Sequence, residues 1–503
     1  MRDVLIVGAG PTGLILALWL TRQGVGVRII DKSVGPGETS RAMAVQARTL
    51  ELYRQLDLAE SVIAAGHPNL SLNLWARGKR RARVVIADSG GSATPYPFIL
   101  IYPQDEHERL LVERLEALGV TVERQTELVA FEEKEDHVAA RLRMPDGSEQ
   151  LCEARYLAGC DGARSPIRHQ MGASFEGGTY KHVFYVADVQ VSGLEPPGEV
   201  HVALDSSDFV AVLSYGKADL GRLIGTVSDE RAEHAEHLTF DDVGHRAIDG
   251  LGVKVNKVNW FSTYHVHHRV TDRFRLGRAF LLGDAAHVHS PVGGQGMNTG
   301  IADAINLAWK LAAVLKGQAP DSLLDSYQQE RQAFARQLVE TTDRVFTFVT
   351  AEGRFANVVR TRIAPVFASI AYKFEGVRGF LFRRVSQTAQ NYRDSALSEG
   401  KAGSVQGGDR LPWVSGADNY RPLSTIGWQV HVYGAARPDL QGWCDQHGIP
   451  LHVFAWSRAH RKVGLAQDAA YLLRPDTYVA LADPQASPVT LSRYLASRGY
   501  TLR

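Results

Sequence analysis

The chain has 503 residues, of which 56 are Lys or Arg and 55 are Asp or Glu, so its formal charge at neutral pH is +1. This length predicts two or three domains, and a charge so close to zero argues against a nucleic-acid partner or an attraction to acidic membranes. The three cysteines, Cys152, Cys160 and Cys444, form no CxxC pair, which argues against a zinc site and a disulfide framework and is typical of a cytoplasmic protein.

The apolar opening of the chain, residues 4–20, resembles the core of a signal peptide only in its hydrophobicity. Gly8, Gly10, Pro11 and Gly13 interrupt it, and no cleavage site of small residues follows. The segment is also too short and too rich in glycine to span a membrane. We therefore expect a cytoplasmic protein with no membrane-spanning segment.

A glycine fingerprint stands between the first predicted strand and the first predicted helix. Residues 4–7 form a continuous apolar run, which is typical of a buried parallel strand, and an apolar helix follows as far as Leu20. Gly8 permits a tight turn, Gly10 lets the backbone approach a pyrophosphate, and Gly13 lets the helix pack closely on the strand. The pyrophosphate would lie at the positive end of the helix.

A second predicted strand, residues 27–30, ends at Asp31. The distance from Gly13 is close to the spacing of about 20 residues at which a carboxylate accepts hydrogen bonds from an adenosine ribose. Asp31 would also repel a 2′-phosphate, which disfavours NADP at this site. A βαβ unit with an incidental glycine turn is the structural alternative, and the fingerprint alone does not separate NAD from FAD.

Residues 69–101 and 176–274 alternate in polarity, which predicts a mixed β-sheet. The basic residues around Gly78 predict the solvated tip of a hairpin. Phe209 and Tyr215 share one face of a predicted strand and are candidate substrate contacts, with core aromatics as the alternative.

Three histidines near the end of this region invite a metal hypothesis. His265 and His267 are two residues apart and would share a strand face, whereas His268 would point away. Because no carboxylate is placed to complete a site, we predict surface or interdomain histidines and no metal.

Two further segments discriminate between the dinucleotides. The first is residues 156–168 (Tyr-Leu-Ala-Gly-Cys-Asp-Gly-Ala-Arg-Ser-Pro-Ile-Arg). The second is residues 277–287 (Gly-Arg-Ala-Phe-Leu-Leu-Gly-Asp-Ala-Ala-His), followed by Pro291 and by residues 293–298 (Gly-Gly-Gln-Gly-Met-Asn). Each segment begins with an apolar strand that runs into a carboxylate. From Met297 onward, apolar residues at helical spacing predict a buried helix.

We call the glycine fingerprint the first motif, residues 156–168 the second motif and residues 277–298 the third motif. In this order, the three motifs resemble those of the class A flavoprotein monooxygenases, the FAD-dependent aromatic and polyketide hydroxylases with phenol-hydroxylase-like members. The resemblance extends from residue 1 to about residue 345 and continues more weakly to the C-terminus. It implies an α/β fold: a Rossmann-like FAD-binding domain with an inserted mixed β-sheet substrate domain and a C-terminal thioredoxin-like domain. The implied boundaries are 1–68, 102–175 and 275–345 for the FAD-binding domain, 69–101 and 176–274 for the substrate domain, 346–399 for a helical linker, and 400–503 for the last domain.

The resemblance also implies which residues contact FAD. Asp284 would bind the ribityl chain, Pro291 would lie against the ring, and the helix N-terminus near Met297 would stabilise the reduced flavin. Arg164 and Arg168 would be nucleotide contacts or ordinary arginines at a helix start. The implied FAD-binding residues are Gly8, Gly10, Pro11, Thr12, Gly13, Asp31, Lys32, Arg41, Gln104, Asp161, Gly162, Gly283, Asp284, Pro291, Gly294, Gln295, Gly296, Met297 and Asn298.

The C-terminal part is predicted from pattern and from the same resemblance. Residues 320–398 predict long helices, most clearly residues 326–346, and glycines near 400 indicate a boundary. Short strands are predicted at 430–432, 451–454 and 478–481. With no CxxC motif, we expect a structural or assembly role for the thioredoxin-like domain.

The function implied by the resemblance is monooxygenation. NADPH or NADH would reduce FAD, O₂ would add to form a flavin C4a-hydroperoxide, and one oxygen atom would pass to a phenolic or polycyclic aromatic substrate. No second fingerprint lies between a strand and a helix, so the nicotinamide nucleotide would dock transiently at the surface. The sequence identifies neither a catalytic base nor an oligomeric state.

Three alternatives remain open at this point. One is Baeyer–Villiger or antibiotic-inactivating oxygenation on the same scaffold. Another is a flavoprotein reductase or dehydrogenase, while a halogenase would need a W-x-W-x-I-P segment that the sequence lacks. The third is a flavin-binding protein without catalytic activity.

Overall fold

The computed structural model describes residues 1–37, 42–86, 93–194, 196, 198–204, 209–215, 219–227, 238–243, 245–290, 294–350 and 375–502. The helices and strands of the first part are β1 (Arg2–Val7), α1 (Pro11–Arg22), β2 (Val27–Ile30), β3 (Ala44–Val45), α2 (Ala47–Tyr53), α3 (Ala59–Ala65), β4 (His67–Asn69), β5 (Ser71–Ala76), β6 (Lys79–Val85), β7 (Ile99–Ile101), α4 (Gln104–Ala117), β8 (Val122–Glu123), β9 (Glu127–Glu133), β10 (Val138–Arg143), β11 (Glu149–Gly159) and α5 (Pro166–Gln170).

The remaining elements complete the described chain. They are β12 (Phe175–Ser192), β13 (Val200–Leu204), β14 (Phe209–Ser214), β15 (Leu220–Thr226), α6 (Arg246–Gly250), β16 (Lys254–Thr271), β17 (Arg275–Leu276), β18 (Ala279–Leu281), β19 (His287–Val288), α7 (Gly296–Leu315), α8 (Asp325–Thr350), α9 (Glu375–Val385), β20 (Glu399–Ala402), β21 (Val405–Gln406), β22 (Gln429–Tyr433), α10 (Pro438–Gln446), β23 (Leu451–Phe454), α11 (Arg458–Lys462), β24 (Ala470–Leu473), β25 (Val479–Asp483) and α12 (Pro488–Ser497).

The first sheet has the order β17-β18-β11-β1-β2-β8, and β10 and β9 extend it from β11. Strands β18, β11, β1, β2 and β8 run parallel. The apolar run at residues 4–7 is buried, as expected of a central parallel strand covered on both faces. Helix α7 packs against α1 and buries the predicted apolar positions Ile301, Ile305, Ala308 and Ala312.

The second sheet has the order β19-β16-β12-β15-β14-β13-β5-β6. The β5–β6 hairpin turns at Arg77 and Gly78, whose φ values of +55° and +68° are those of a two-residue hairpin turn. One face of the sheet is covered by residues 240–243 and 245–253, against which Val210 and Val212 are fully buried. The opposite face is turned toward the first sheet's domain, where Val200 packs with Met43 and Ile101.

Two strands differ from the predicted division of the chain. Residues 99–101 form β7, which pairs with β3 and β4 in a separate three-stranded sheet and not with the second sheet. Conversely, β19 from the third motif pairs with β16 and so joins the second sheet to the motif. Alternating polarity predicts that a segment is a strand, but not which strand it pairs with, because pairing is set by distant residues.

The helical prediction for residues 320–398 holds only in part of that range, of which residues 351–374 lie outside the described residues. Helix α8 includes the predicted residues 326–346, and α9 ends at Val385. Residues 386–398 contain no helix, because their polar side chains form hydrogen bonds with the rest of the protein: Ser395 donates to Glu330 at 2.7 Å, and Arg393 donates to Asp409 at 2.7 Å.

The third sheet has the order β21-β20-β25-β24-β22-β23. Strand β22 pairs in parallel with β23 through α10, and β24 pairs antiparallel with both β22 and β25. The predicted strands at 430–432, 451–454 and 478–481 correspond to β22, β23 and β25. None of the described helices combines the length and the apolar character needed to cross a membrane.

Buried ion pairs join the third sheet to the helices of the first domain. Arg474 donates to Glu330 of α8 at 2.6 and 3.0 Å, and Lys310 of α7 donates to the same carboxylate at 2.9 Å. Arg474 also pairs with Asp476. We call Lys310, Glu330, Arg474 and Asp476 the buried charge cluster, since all four are at most 4% exposed.

Candidate functional site

The three sequence motifs meet at one edge of the first sheet. Strands β1, β2, β11 and β18 are parallel neighbours, so their carboxyl ends lie along the same edge. The residues that leave these strands include Gly8, Asp31, Asp161 and Gly283. In open parallel sheets, ligands bind at this edge, next to the strand from which the connections diverge.

The fingerprint glycines differ in what their missing side chains would contact. Gly8 has a φ of +104°, and a Cβ there would lie 2.2 Å from the carbonyl oxygen of Cys160. A Cβ on Gly13 would lie 2.0 Å from the carbonyl oxygen of Gly8. Beside Gly10, however, no described atom lies within 4 Å of such a Cβ. This open space, in front of the helix whose first residue is Pro11, fits an approaching diphosphate.

Asp31 is fixed beside the fingerprint turn. Its Oδ2 accepts a hydrogen bond from the N–H of Ala9 at 2.6 Å, and its Oδ1 accepts one from the N–H of Ser33 at 2.7 Å. Because a carboxylate offers about four acceptor positions, the side chain retains capacity for ribose hydroxyls. The neighbouring Lys32 is exposed.

Asp161 carries a buried oxygen that lacks a donor. Its Oδ2 accepts a hydrogen bond from the N–H of Ile167 at 3.2 Å, whereas its Oδ1 has no partner among the described residues. Burial raises the pKa of Asp161. Leaving a buried acceptor unsatisfied is costly, so a donor from a bound cofactor would stabilise this residue and the adjacent Gly162 turn.

Of the two arginines predicted near Asp161, Arg168 is turned into the protein. It is 3% exposed and donates to the carbonyl oxygens of Ala285 and Ala163, both at 2.8 Å. Arg168 therefore joins the second motif to the third and is not a surface contact for a nucleotide. Arg164 is exposed.

Helices α1 and α7 approach each other closely at their N-termini. A Cβ on Gly283 would lie 2.7 Å from Thr12 Oγ1, and a Cβ on Gly300 would lie 2.3 Å from the same atom. The start of α7, including Gly296 and Met297, is partly exposed, and the first N–H groups of a helix have no partner within it. Two helix N-termini therefore converge on one edge, which favours negative charge there. Asp284 is exposed at this edge.

The loop before α7 is held by Asn298. Its side chain donates to the carbonyl oxygens of Ala44 and Gly294 at 2.8 and 2.9 Å, and accepts from Gln46 N–H and Thr49 Oγ1 at 2.9 and 2.8 Å. The predicted Asn298 side chain is thus fully engaged by the protein, and only its backbone N–H remains for a cofactor. Gln295, which precedes the helix, is buried, and its carbonyl oxygen accepts from Thr299.

Of the remaining predicted cofactor residues, Gln104 lies at the start of α4. Its backbone N–H donates to the carbonyl oxygen of Ala42 at 3.1 Å, and its side chain donates to Glu108 at 2.7 Å. These contacts place it next to the segment that leads into β3. Arg41 and Pro291 lie outside the described residues.

A buried carboxylate that the sequence reasoning missed lies beneath the third motif. Asp303 accepts hydrogen bonds from the Gly283 N–H at 3.0 Å and from Arg331 Nε at 2.6 Å, and its Oδ2 lies 2.7 Å from His287 Nε2. Burial alone would raise the pKa of Asp303, but the charge of Arg331 and the contact with His287 lower it. The signal in the sequence was that Asp303 is the single acidic residue of a largely apolar helix.

The two predicted substrate residues lie on the face of the second sheet that is turned toward the motifs. Tyr215 packs near Met43 and Ile101 of the first domain, whereas Phe209 belongs to a separate cluster with Phe184 and Tyr264. Both Phe209 and Tyr215 are partly exposed. The sequence reasoning missed Tyr264, since its partner strand β12 is distant in the sequence.

The histidines near 267 do not gather metal ligands. Within the residues that the structure describes, no group of three or more His, Cys, Asp or Glu side chains is arranged to hold a metal ion. His267 Nδ1 lies 2.7 Å from Thr179 Oγ1, and burial lowers the pKa of His267.

Taken together, the site combines an open space at a helix N-terminus, a carboxylate beside it, a buried acceptor without a donor and a second helix N-terminus. These features fit a dinucleotide such as FAD. Phe209, Tyr215 and Tyr264 are partly exposed on one face of the second sheet, which we call the aromatic face. This face lies on the same side as the motifs and can bind an apolar compound away from water.

Comparisons with known proteins agree with this arrangement. Residues 1–342 match the family described as FAD binding domain. A 6-methylpretetramide 4-monooxygenase of Streptomyces rimosus is 37% identical over 415 residues, which cover 80% of this chain and 72% of that protein. A pentachlorophenol 4-monooxygenase of Sphingobium chlorophenolicum is 30% identical over 512 residues, covering 95% and 93% of the two chains. A ternary complex of aklavinone-11 hydroxylase with FAD and aklavinone has a TM-score of 0.81 at 26% identity, with 98% of each chain covered.

Proposed function

Since this chain belongs to the class A family of FAD-dependent aromatic hydroxylases, we propose that it inserts one oxygen atom of O₂ into an electron-rich aromatic ring at the expense of NADPH or NADH. The protein is an FAD-dependent monooxygenase. The observation that carries the proposed reaction is the meeting of two helix N-termini, those of α1 and α7, at the sheet edge that faces an aromatic-lined surface.

The residues of the site have separable tasks in this reaction. The free N–H groups at the start of α1 neutralise the diphosphate, and Asp31 accepts from the ribose. The chemistry that bound FAD supplies is the acceptance of a hydride and the activation of O₂. The N-terminus of α7 stabilises the negative charge that develops on the isoalloxazine ring when FAD is reduced, because preorganised N–H groups need no rearrangement when the charge appears.

The aromatic face of the second sheet excludes water and holds the ring to be oxidised. Phe209, Tyr264 and Leu213 provide apolar surface that a flat aromatic compound covers on binding. His289, next to the third motif, stays neutral at physiological pH because burial lowers its pKa to about 4. A neutral imidazole there adds no positive charge that would compete with the helix N-terminus.

The C-terminal unit, for which we propose residues 400–503, has a thioredoxin-like topology. Support comes from the β22-α10-β23 crossover and from the sheet order β23-β22-β24-β25. It has no CxxC motif, so we propose a structural or assembly role for it. For the remaining chain we propose the predicted domain boundaries, except that β7 lies outside the sheet of the substrate domain, β19 belongs to that sheet, and residues 386–398 are not helical. We also propose docking of the nicotinamide nucleotide at the surface and a cytoplasmic location.

The test of the proposed function is NAD(P)H consumption by the purified, FAD-loaded protein with a panel of single-ring and polycyclic phenols. We expect a substrate-stimulated rate and a product heavier by one oxygen atom, with that atom labelled when heavy-isotope O₂ is supplied. Peroxide release is measured in parallel, and apoprotein stripped of FAD is the control. Product labelled from water, or NAD(P)H oxidation that no aromatic compound stimulates, would contradict oxygenation of an aromatic ring.

A further inference from the structure

One end of the aromatic face carries a polar group that the proposed reaction has not used. On this face, β15 places Arg222 opposite Asp188 of β12 and opposite Leu213 of β14. Arg222 Nε and Nη2 donate to the two carboxylate oxygens of Asp188, each at 2.7 Å. This bidentate geometry fixes the plane of the carboxylate.

Asp188 is accessible, whereas its partner is not. The side chain of Asp188 is 18% exposed and that of Arg222 is 2% exposed. Arg222 therefore acts as an internal support, and Asp188 is the member of the pair that a ligand on the face can reach. A carboxylate accepts hydrogen bonds but donates none, so it selects for a ligand that carries a hydroxyl or N–H group at this end.

Tyr215 lies beside this pair. Burial, and after it the negative charge of Asp188, raise the pKa of Tyr215 to about 12, so its phenol stays protonated at physiological pH. Tyr215 also packs near Met43 and Ile101. The polar end of the face is thus enclosed between the second sheet and the FAD-binding domain.

The rest of the face is long and apolar. The segment from Phe209, at the start of β14, to Tyr215, just after its end, spans about 20 Å at the rise of an extended chain, which is several times the width of a single aromatic ring. Phe184, Ile224 and Tyr264 line the end away from Asp188. A single-ring phenol bound at Asp188 would leave most of this surface uncovered.

We propose that Asp188 is a substrate-binding residue that anchors a ring hydroxyl of an extended polycyclic phenol, with the fused rings lying along the face toward Tyr264. The inference rests on the proposed function and adds the substrate class and its orientation. Arg222 is a positioning residue, which holds Asp188 in the geometry that receives the hydroxyl.

The test is binding to the full-length, FAD-loaded protein, followed by the change in flavin absorbance. The probes are emodin, which is a tricyclic polyphenol, its tri-O-methyl ether, and phenol. We expect the wild-type protein to bind emodin at least about tenfold more tightly than the ether, because the ether has no hydroxyl group to donate to the partly exposed Asp188, and more tightly than phenol.

The variant is Asp188→Asn, which keeps the volume of the side chain. We expect its affinity for emodin to fall at least about tenfold, its affinity for the ether to stay unchanged, and its FAD content to stay at the wild-type level. Asp249→Asn is the matched control, since Asp249 is exposed on α6 at the opposite face of the sheet, and it should bind emodin like the wild type.

Several results would overturn the inference. They are equal binding of emodin and its ether by the wild-type protein, unchanged emodin binding by Asp188→Asn, binding of phenol as tight as that of emodin, or no binding of emodin by the wild-type protein. The comparison of probes on the wild-type protein needs no variant, so the inference stays testable if Asp188→Asn does not fold. Failure to bind FAD, or the absence of product with any aromatic compound, would instead count against the proposed function.

Discussion

Among the fingerprint glycines, Gly10 is the one that the fold itself does not require to be glycine, so its role can be assigned to ligand binding. Its φ of −76° and ψ of −179° are open to any residue, and no described atom lies near the position of a Cβ. Gly8 and Gly13, by contrast, are required by close contacts within the protein. A substitution at Gly10 therefore changes only the space that a ligand would use.

For Gly10→Ala, we expect an apoprotein with the melting temperature of the wild type and an affinity for FAD that is at least about tenfold weaker. The added methyl group would enter the space assigned to the diphosphate. Fluorescence titration of the apoprotein with FAD measures the affinity. Gly427→Ala is the control, because a Cβ at Gly427 also meets no described atom within 4 Å but lies in the C-terminal unit. An unchanged affinity for FAD in Gly10→Ala would place the diphosphate elsewhere.

Gly8, Gly13 and Asp31 were predicted because they belong to one βαβ unit whose motif has a characteristic spacing, although the atom that a Cβ on Gly8 would meet belongs to the distant Cys160. Asp303 belongs to no such spaced motif. Its role depends on His287, Gly283 and Arg331, which the fold brings to it from other elements. The Asp188–Arg222 pair is of the same kind, since it depends on the register of two strands.

At the scale of elements, the crossing of α1 and α7 decides where the two helix N-termini point. For Gly300→Ala, a Cβ would lie 2.3 Å from Thr12 Oγ1 and 3.2 Å from Gly283 Cα. We expect the helices to separate, with a loss of about 1–3 kcal/mol in the free energy of unfolding and a weaker affinity for FAD. Chemical denaturation and FAD titration measure these two quantities.

The control for this prediction is another helical glycine. Gly442 lies in α10, and a Cβ there meets no described atom within 4 Å, so Gly442→Ala should be neutral or stabilising by up to about 1 kcal/mol. Adding Thr12→Ala to Gly300→Ala removes the atom that the new Cβ would meet and should recover stability. A single variant as stable as the wild type, with full FAD affinity, would refute the close crossing.

The elements themselves followed from the sequence more readily than their pairing. The apolar run at residues 4–7, the helix from Met297 and the strand at 451–454 were visible because hydrophobic period and length are local properties. The assignment of β7 to a small separate sheet and of β19 to the second sheet was not, since it requires partners from other parts of the chain. The irregular residues 386–398 were missed because the hydrogen bonds of their side chains, and not the local pattern, determine their conformation.

At the scale of the whole molecule, the ion pairs of the buried charge cluster join the C-terminal unit to the FAD-binding domain. Glu330 accepts from Lys310 and from Arg474, which come from different elements. Burial alone would raise the pKa of Glu330, but the charges of Arg474 and Lys310 lower it, whereas burial lowers the pKa of Lys310 to about 8. Removing one member would leave an uncompensated buried charge.

For Glu330→Gln, we expect a loss of about 3–5 kcal/mol in the free energy of unfolding at neutral pH. The pKa of Glu330 in the folded protein lies below its ordinary value of 4.5. The contribution of its carboxylate to the free energy of unfolding is therefore complete above pH 4.5 and is lost as the pH falls toward the pKa in the folded protein. The stability difference between wild type and variant should therefore narrow as the pH falls below 4.5. Chemical denaturation at a series of pH values measures this difference.

A surface carboxylate provides the control for Glu330. Glu127 pairs with Arg143 at 2.9 Å, and both side chains are more than 40% exposed, so Glu127→Gln should cost no more than about 1 kcal/mol. A variant at Glu330 that is as stable as this control would show that the buried charge cluster does not hold the two units together.

The contacts between the first and last parts of the chain can form only after the last part has been synthesised. Glu51 pairs with Arg410, which lies 359 residues later, and Arg48 donates to the carbonyl oxygen of Asp476, 428 residues later. At a synthesis rate of about 5–20 residues per second, the ribosome needs tens of seconds to deliver these partners. Until those residues emerge, Arg48 and Glu51 lack these two partners, so the packing around them is completed only after the C-terminal unit has been synthesised.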